Sequence, residues 1–600
     1  MDELSLGAYR RVAAALRSGD FEQAEREVRV LLVREPCDAK ALNLAGAVAF
    51  ARRNWNEAER FLTAAVANDR DGDDARMNLG RVYEVTNRFE EAAAVYAEIA
   101  ERRPGAAEPL VRLGIVRYGQ SLLDEAERAF AAALERDPQH HLAARNLGII
   151  ANAGGRYDAA VSVLESVLVA HPEDAEAWAA LADSLRALRR LDEAALAART
   201  ACERDPGGAQ ALIVRGKVAY ERAAFDEAEE SLLAAATSAP ERYEPPMNLS
   251  GLYHGLGRVD EAIALGARAV TLAPQHPQAH VNLGLSRLLR GEFADGFAEL
   301  EWRLRDPRAR ERYRYLERLP LWNGEPLGGR RLLVAQEQGI GDFICWSRLV
   351  PELQARGATV ALEVPPALAG LYRRFPGVDE LIAGVCGDER VDGFAAHLPI
   401  CSLPHVLGVE HPTSPGQVPY LAADAARVAR FRDRFAALGD RLRVGIVWGG
   451  DPVHVLDRFR SCDITAFEAL ADLSGIAWVS LQKGPREVDL QRAPAAMEIL
   501  PLGSELADFE DTAAAIAALD LVIAVDTSVA HLAGALGAPI WTLHGFGKYW
   551  LWGLDGAETP WYPTMRLFRQ HRPNEWSGLF ADLRTAMQER LRAERAPEGR

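Results

Sequence analysis

Cysteine is scarce in this chain: Cys37, Cys202, Cys345, Cys386, Cys401 and Cys462 are its six, and no two form a CxxC pair. That scatter supplies neither a disulfide framework nor a zinc site, so no metal centre is expected, and it suits a reducing compartment such as the cytoplasm. Positive charge is in deficit, with 69 Lys and Arg against 86 Asp and Glu and a net charge of −17. A nucleic-acid binder needs a basic footprint and a protein docked on anionic lipid needs basic clusters, so the charge balance argues against both partners. No uncharged apolar run approaches the ~20 residues that span a bilayer. The opening MDELSLGAYRR is acidic, has no apolar centre and predicts no secretory leader. Nucleotide-binding signatures are missing too. There is no GK[ST], and Gly339-Ile340-Gly341 runs on into Phe343, Ile344 and Cys345 without the third glycine of a dinucleotide fingerprint.

What is present is a repeat. Pro104, Pro138, Pro172, Pro206, Pro240 and Pro274 stand 34 residues apart. Gly46, Gly80, Gly114, Gly148, Gly216 and Gly284 keep the same period, with Ala182 and Ser250 filling the gaps. Ala24, Ala58, Ala92, Ala126, Ala160, Ala194, Ala228 and Ala262 form a third register, and Gly296 takes its ninth place. Small residues in two registers let a pair of antiparallel helices approach closely, and proline ends the second helix because it cannot continue it. One such unit cannot bury its apolar face alone, so the units must stack. Over 5–307 the nine units resemble the tetratricopeptide repeat (TPR) family, which implies an all-α superhelix whose inner face takes a peptide. Asn78, Asn146, Asn248 and Asn282 share one position of the first helix. They resemble the asparagine ladder of TPR-bearing O-GlcNAc transferases, interrupted by Arg112, Ala180 and Val214. The alternative is that asparagine is merely tolerated there.

Beyond Pro307 the period stops. A charged, aromatic connector (308–330) leads into RLLVAQ (331–336), ATVALEV (358–364), RVGIVWGG (443–450), IAWVSLQ (476–482), DLVIAVD (520–526) and APIWTLHG (538–545). These short β-branched runs alternate with helical stretches and predict parallel α/β sheet in two lobes, 331–425 and 426–575. The Pro/Gly-rich 404–425 reads as a linker and 576–600 as a terminal helix and tail.

Two segments carry candidate chemistry. Gln338-Gly339-Ile340-Gly341-Asp342 follows a strand and opens a helix. Gly339 and Gly341 let a ligand near the backbone at a helix N-terminus, while Asp342 is either a helix cap or a general base. In the second lobe a strand ends at Asp526, and Thr527 and Ser528 begin a helix that carries His531 one turn on. That is an anion site at a strand's carboxyl end, or an N-cap followed by a core histidine.

Together the two segments resemble the heptosyltransferase-like glycosyltransferases, specifically a bacterial group that fuses TPRs to this domain. Further matching pieces are Trp448-Gly449-Gly450 with Asp457-Arg458-Phe459-Arg460-Ser461, Ser480-Leu481-Gln482-Lys483-Gly484, Asp508-Phe509-Glu510-Asp511-Thr512, and the run Trp561 to Arg569. The resemblance covers about 331–585. It implies a GT-B fold of two Rossmann-like lobes and a metal-independent enzyme without a permanently bound cofactor. It casts Asp342 as base, and Asp526, Thr527, Ser528 and His531 as the loop that grips a nucleotide sugar. Arg458, Arg460 and Lys483 become candidate phosphate neutralisers, the alternative for the arginine pair being a surface salt-bridge site. Trp448 and Phe568 read as core, and His397 as a weak acceptor-side candidate. Gly450 and Val455 stand where relatives often carry asparagine. The fused architecture resembles enzymes that O-glycosylate flagellin, so the expected acceptor is a protein, flagellin first, held by the TPRs. The expected donor is a CMP-, UDP- or ADP-sugar, CMP-pseudaminic acid among them. A lipopolysaccharide or capsule transferase that uses the repeats for docking, and a non-catalytic scaffold, are the alternatives.

Overall fold

The computed structural model describes residues 3–411, 418–453 and 457–595. Val455 and residues 412–417 of the expected linker therefore lie outside the described residues. Eighteen helices pair into nine repeats, from Glu3–Ser18 with Phe21–Arg34 to Pro277–Arg290 with Phe293–Leu300. Contacts divide the chain inside this array, into Met1–Ser238 and Ala239–Arg600. The first unit holds seven repeats; the second holds two repeats and everything that follows.

The small-residue registers have a direct packing cause. A Cβ at Gly80 would lie 2.6 Å from the Tyr96 ring, and one at Gly114 2.7 Å from Phe130. At Gly148 and Gly216 it would lie 2.6 Å from Leu164 and Leu232. In each case the large partner stands 16 residues on, in the second helix of the same repeat. The two exceptions are compensated. Ala182 is matched by Ala198 at the partner position. Ser250 is matched by Gly266, and its hydroxyl donates to the Ala262 carbonyl at 2.7 Å. All eight alanines of the third register are fully buried. Side chains of 0.74 packing density leave no slack for a mismatched pair.

In the second unit two parallel sheets follow the repeats. The first comprises β1 (Arg331–Ala335), β2 (Thr359–Val364), β3 (Glu380–Ala383) and β4 (Ala396–Pro399) in the order β3-β2-β1-β4. The second comprises β5 (Leu442–Val447), β6 (Ile476–Ser480), β7 (Ile499–Pro501), β8 (Leu521–Val525), β9 (Ile540–His544) and β10 (Met565–Arg569), in the order β10-β9-β8-β5-β6-β7. Every strand pair is parallel. β5, β6, β8 and β9 are buried along almost their whole length. This explains why they read as continuous apolar runs rather than alternating ones. The second order is the Rossmann arrangement, and each sheet reverses direction once: between β1 and β4, and between β5 and β8. Ligands of open α/β sheets bind outside the carboxyl ends of the strands at such reversals. The loops after β1, β5 and β8 are those that carry Gly339–Asp342, Trp448–Gly450 and Asp526–His531.

The connector seals the edge of β4. Trp322 N–H donates to the His397 carbonyl at 2.8 Å, and His397 N–H donates to the Pro320 carbonyl at 3.0 Å. An open edge would be a template for aggregation. The linker's far end is pinned to the second lobe, where Tyr420 and Leu421 N–H both donate to the Ala535 carbonyl. The terminal helix Ser577–Arg595 packs Leu579, Phe580, Leu583 and Met587 into the core that holds Trp448 and Phe568, which are both buried.

Candidate active site

Helix Ile340–Ser347 begins directly after β1. Gln338 takes a left-handed φ of 58°, a costly conformation for a non-glycine residue that turns the chain sharply out of the strand. Asp342 then closes back on the turn, its Oδ2 accepting the Gly339 N–H at 3.2 Å. So it is a helix-capping carboxylate, but an unusual one. Burial, and next the negative charges of Asp526 and Glu337, push its carboxyl up to about 6, with the Gly339 hydrogen bond opposing. A carboxyl near 6 is ionised at neutral pH yet far more basic than an ordinary aspartate.

Gly341 explains the second glycine of the motif. A Cβ there would lie 2.8 Å from Cδ2 of His531. Its absence lets helix Ile340–Ser347 press against helix Ser528–Ala535 of the other lobe. The two candidate segments, about 190 residues apart in sequence, thereby meet.

In the second lobe, Asp526 directly follows β8 and accepts a hydrogen bond from Trp552 Nε1 at 3.0 Å. Burial raises its carboxyl above the usual range. His531 is buried, with Nδ1 3.0 Å from the Tyr562 hydroxyl and Nε2 3.9 Å from Asp526 Oδ1. Burial, then the positive charges of Arg348 and Arg460, lower its pKa to about 3, so the imidazole is neutral. Thr527 is the residue before helix Ser528–Ala535, but its side chain makes no cap bond, and its buried Oγ1 has no hydrogen-bond partner among the described residues. A buried hydroxyl left unpaired costs free energy unless a ligand meets it. Ser528 is partly exposed at the helix start.

Arg460 joins this group. Its charge acts on both Asp526 and His531, and its Nε lies 3.6 Å from Asp457. Asp457 is a buried hub that also receives Arg486 and accepts the Ser461 hydroxyl at 2.7 Å. Arg458, its neighbour, stacks over Phe459 at 4.4 Å. Phe459's own carbonyl occupies the place a side chain at Gly545 would need. Gly450 has the same reason: a Cβ there would come within 2.8 Å of Arg460 and of Asp457. An asparagine at 450 would compete with that pair for the same space. Lys483 is not brought to the group, because its ammonium donates to the carbonyls of Gly503 and Leu506. His397 sits in mid-β4 against Leu333, with its backbone bonded to the connector rather than at the strand's carboxyl end. Asp508 and Asp511 cap helix Phe509–Ala517 and pair with Arg427.

The asparagine register is half-buried and its amides are engaged inside the array. In the first unit Asn78 donates to Asn43 at 2.9 Å and Asn146 to the Leu142 carbonyl at 2.7 Å. In the second, Asn248 donates to the Glu244 carbonyl at 2.7 Å and Asn282 to the Met247 carbonyl at 3.2 Å. Back-bonding to the residue four before, at 146 and 248, is what a helical asparagine does without a ligand.

Sequence reading passed over Trp552, Tyr562 and Arg348 as site residues. Arg348 donates to the carbonyls of Cys345 and Trp561 and lies over the rings of Tyr420 and Tyr562. The visible signals are the aromatic run Tyr549-Trp550-Leu551-Trp552 just after β9 and, for Tyr562, the run Trp561 to Arg569.

Comparison with known proteins agrees with this layout. Overlapping segments between residues 9 and 307 match the tetratricopeptide repeat family, and residues 483–576 match glycosyltransferase family 9 (heptosyltransferase). Protein FlbA of Caulobacter vibrioides is 28% identical over 508 residues, covering 80% of this chain and 83% of that protein. Among solved structures, a tetratricopeptide repeat protein of Parabacteroides merdae is 18% identical, covering 40% of this chain and 94% of that one with a TM-score of 0.36. A thermophilic TPR protein of Thermus thermophilus is 26% identical, covering 30% of this chain and 100% of that one with a TM-score of 0.29. This chain carries tetratricopeptide repeats followed by a glycosyltransferase family 9 (heptosyltransferase) domain.

Proposed function

We propose that this chain is a metal-independent glycosyltransferase of GT-B type that moves a sugar from a nucleotide-activated donor to a Ser or Thr hydroxyl of a protein held by the repeats. The observation that carries this reading is the meeting of Gly341–Asp342 with Asp526–His531 at the carboxyl ends of two parallel sheets. It sets a basic carboxylate beside a hydroxyl unpaired among the described residues, a neutral imidazole and an arginine. In the reaction, the acceptor oxygen attacks the anomeric carbon and its proton passes to Asp342. The bond from that carbon to the nucleotide phosphate breaks, and the phosphate leaves with the electron pair. Arg460, the Thr527 hydroxyl and the first N–H groups of helix Ser528–Ala535 stabilise the charge that develops on it.

Flagellin is the acceptor we propose, in the cytoplasm before export. The donor is a CMP-activated nonulosonic acid such as CMP-pseudaminic acid, which would leave a nucleoside monophosphate; UDP- and ADP-sugars are the other classes to test. Intact-mass spectrometry of flagellin from cells with and without this protein is the test. The expected result is a loss of sugar mass in its absence, reproduced by Asp342→Asn. Unchanged flagellin together with altered lipopolysaccharide or capsule would overturn the protein acceptor and favour a polysaccharide transferase.

A further inference from the structure

The hydrogen bonds around His531 decide which of its ring nitrogens carries the proton. Tyr562 reaches the histidine because its ring lies flat on Gly534, where a Cβ would come within 2.5 Å of it. Its hydroxyl is 3.0 Å from His531 Nδ1 and 3.4 Å from the Tyr420 hydroxyl. Tyr420 has one proton and gives it to the Ile344 carbonyl at 2.9 Å, because a carbonyl can only accept. Its oxygen is already approached by Arg348 at 3.3 Å. The Cys345 sulfur also reaches Tyr562, but it is a weak acceptor, so the Tyr562 proton goes to the nearer and stronger one, His531 Nδ1. A neutral imidazole that accepts at Nδ1 carries its hydrogen on Nε2. Nε2 faces Asp526 at 3.9 Å, too far for a hydrogen bond. It also borders the space left open by Gly341.

We propose that Tyr562 is a positioning residue that locks His531 in the Nε2–H tautomer, so that the imidazole offers a fixed N–H to an oxygen of the bound sugar nucleotide and takes no part in proton transfer. The tautomer stands on the geometry alone; only the identity of the recipient oxygen rests on the transferase reading. The arrangement spans both lobes and the linker, since Arg348 and Ile344 come from the first, Tyr420 from the linker, and Tyr562 and His531 from the second. The imidazole is thus oriented only when the lobes and linker are assembled around it.

The test is nitrogen-15 NMR of the full-length chain labelled at histidine, with the His531 signals assigned by their loss in His531→Gln. In the unsubstituted protein we expect a protonated Nε2 and an unprotonated, hydrogen-bonded Nδ1. In Tyr562→Phe the Nδ1 resonance moves toward that of a free lone pair, or the two tautomers mix. In Tyr420→Phe it stays in place, because the Tyr562 proton keeps its acceptor. A protonated Nδ1 in the unsubstituted protein overturns the proposal. So does an Nδ1 signal unmoved by Tyr562→Phe, or one moved as far by Tyr420→Phe. Should Tyr562→Phe fail to fold, the unsubstituted spectrum and the Tyr420→Phe spectrum still decide. None of these outcomes depends on sugar transfer, so failure here is distinguishable from failure of the transferase reading.

Discussion

The first seven repeats and the last two obey one sequence period but are held together differently. In Met1–Ser238 the core is segmented. Separate clusters of alanine, leucine and valine each join a few neighbouring helices, as around Val12 and Val28 or around Phe130 and Ile150. In the second unit, Val259, Leu288, Leu289 and Phe297 of the last two repeats belong to the same cluster as Trp346, Trp550 and Trp561 of the lobes. Phe297 meets Trp346 and Trp550 edge-on at 5.8 and 5.7 Å. Arg303, just after the last repeat, grips Glu337 with two hydrogen bonds of 2.7 and 2.8 Å and reaches Ser402. Repeats eight and nine are thus structural parts of the transferase region, whereas each of the first seven is stabilised by its immediate neighbours.

The sharpest break in this comparison is truncation. A chain of residues 239–600 should fold cooperatively, whereas one of 308–600 should aggregate or lack a melting transition, since Phe297 and Arg303 are gone. Circular dichroism and calorimetry would read both, and equal behaviour of the two truncations would erase the distinction drawn above.

Next in size is Arg303→Ala, which strands a buried Glu337 and should cost about 3–5 kcal/mol. The same change at Arg190, whose pair with Glu193 is exposed and screened by solvent, should cost far less. Chemical denaturation of the two variants measures the contrast. Gly341→Ala pushes His531 away from the first lobe, and because small misplacements in a site are costly, transfer should fall roughly 100-fold. Gly114→Ala, equally crowded by Phe130, should instead lower stability by about 1–3 kcal/mol and leave transfer intact. Nucleotide release from the donor separates the two.

Asp342 gives the most diagnostic effect, because its change in stability depends on pH. Its folded-state pKa lies above the ordinary carboxyl value of 3.8, at about 6. The folded protein therefore holds the proton more tightly than the unfolded chain. The stabilising proton is fully present below about pH 4 and lost as pH rises through 6. Asp342→Asn removes the cost of ionisation. It should raise stability by about 1–3 kcal/mol at pH 7.5, not at all below pH 4, and abolish transfer. A gain over the unsubstituted protein no larger at pH 7.5 than at pH 4 would mean that the carboxyl is not strained.

The sequence was informative where residues repeat or run long. The 34-residue registers announced the helix pairs, and six of the ten strands stood out as apolar runs. The other four are edge strands, and three of them are short. Glu380–Ala383, Ala396–Pro399 and Ile499–Pro501 have three or four residues each, two of them ending in proline, and too few positions to show a period. Met565–Arg569 mixes two arginines with apolar residues, because it is the outer strand of its sheet. The turn at Asp342 and the loop at Asp526–His531 were legible as motifs. That Gly341 exists for His531 was not, since the two are distant in the chain and only folding sets them in contact. The contacts that Tyr562, Trp552 and Arg348 make around the site were hidden for the same reason. Nothing in the repeat period marks the division after Ser238, because it reflects what the helices pack against and not what they are.

The matched residues 16 positions apart within each repeat have a consequence for inheritance and for engineering. Glycine faces a ring or leucine in most repeats, alanine faces alanine in the sixth, and serine faces glycine in the eighth. Such positions must change in step, so in a family of these chains they should covary as pairs. A recombination point placed between repeats preserves every pair. One placed inside a repeat, joining the Ala182 helix to the Leu232 helix, puts a methyl group where only hydrogen fits. The heritable module here is the hairpin, never the single helix.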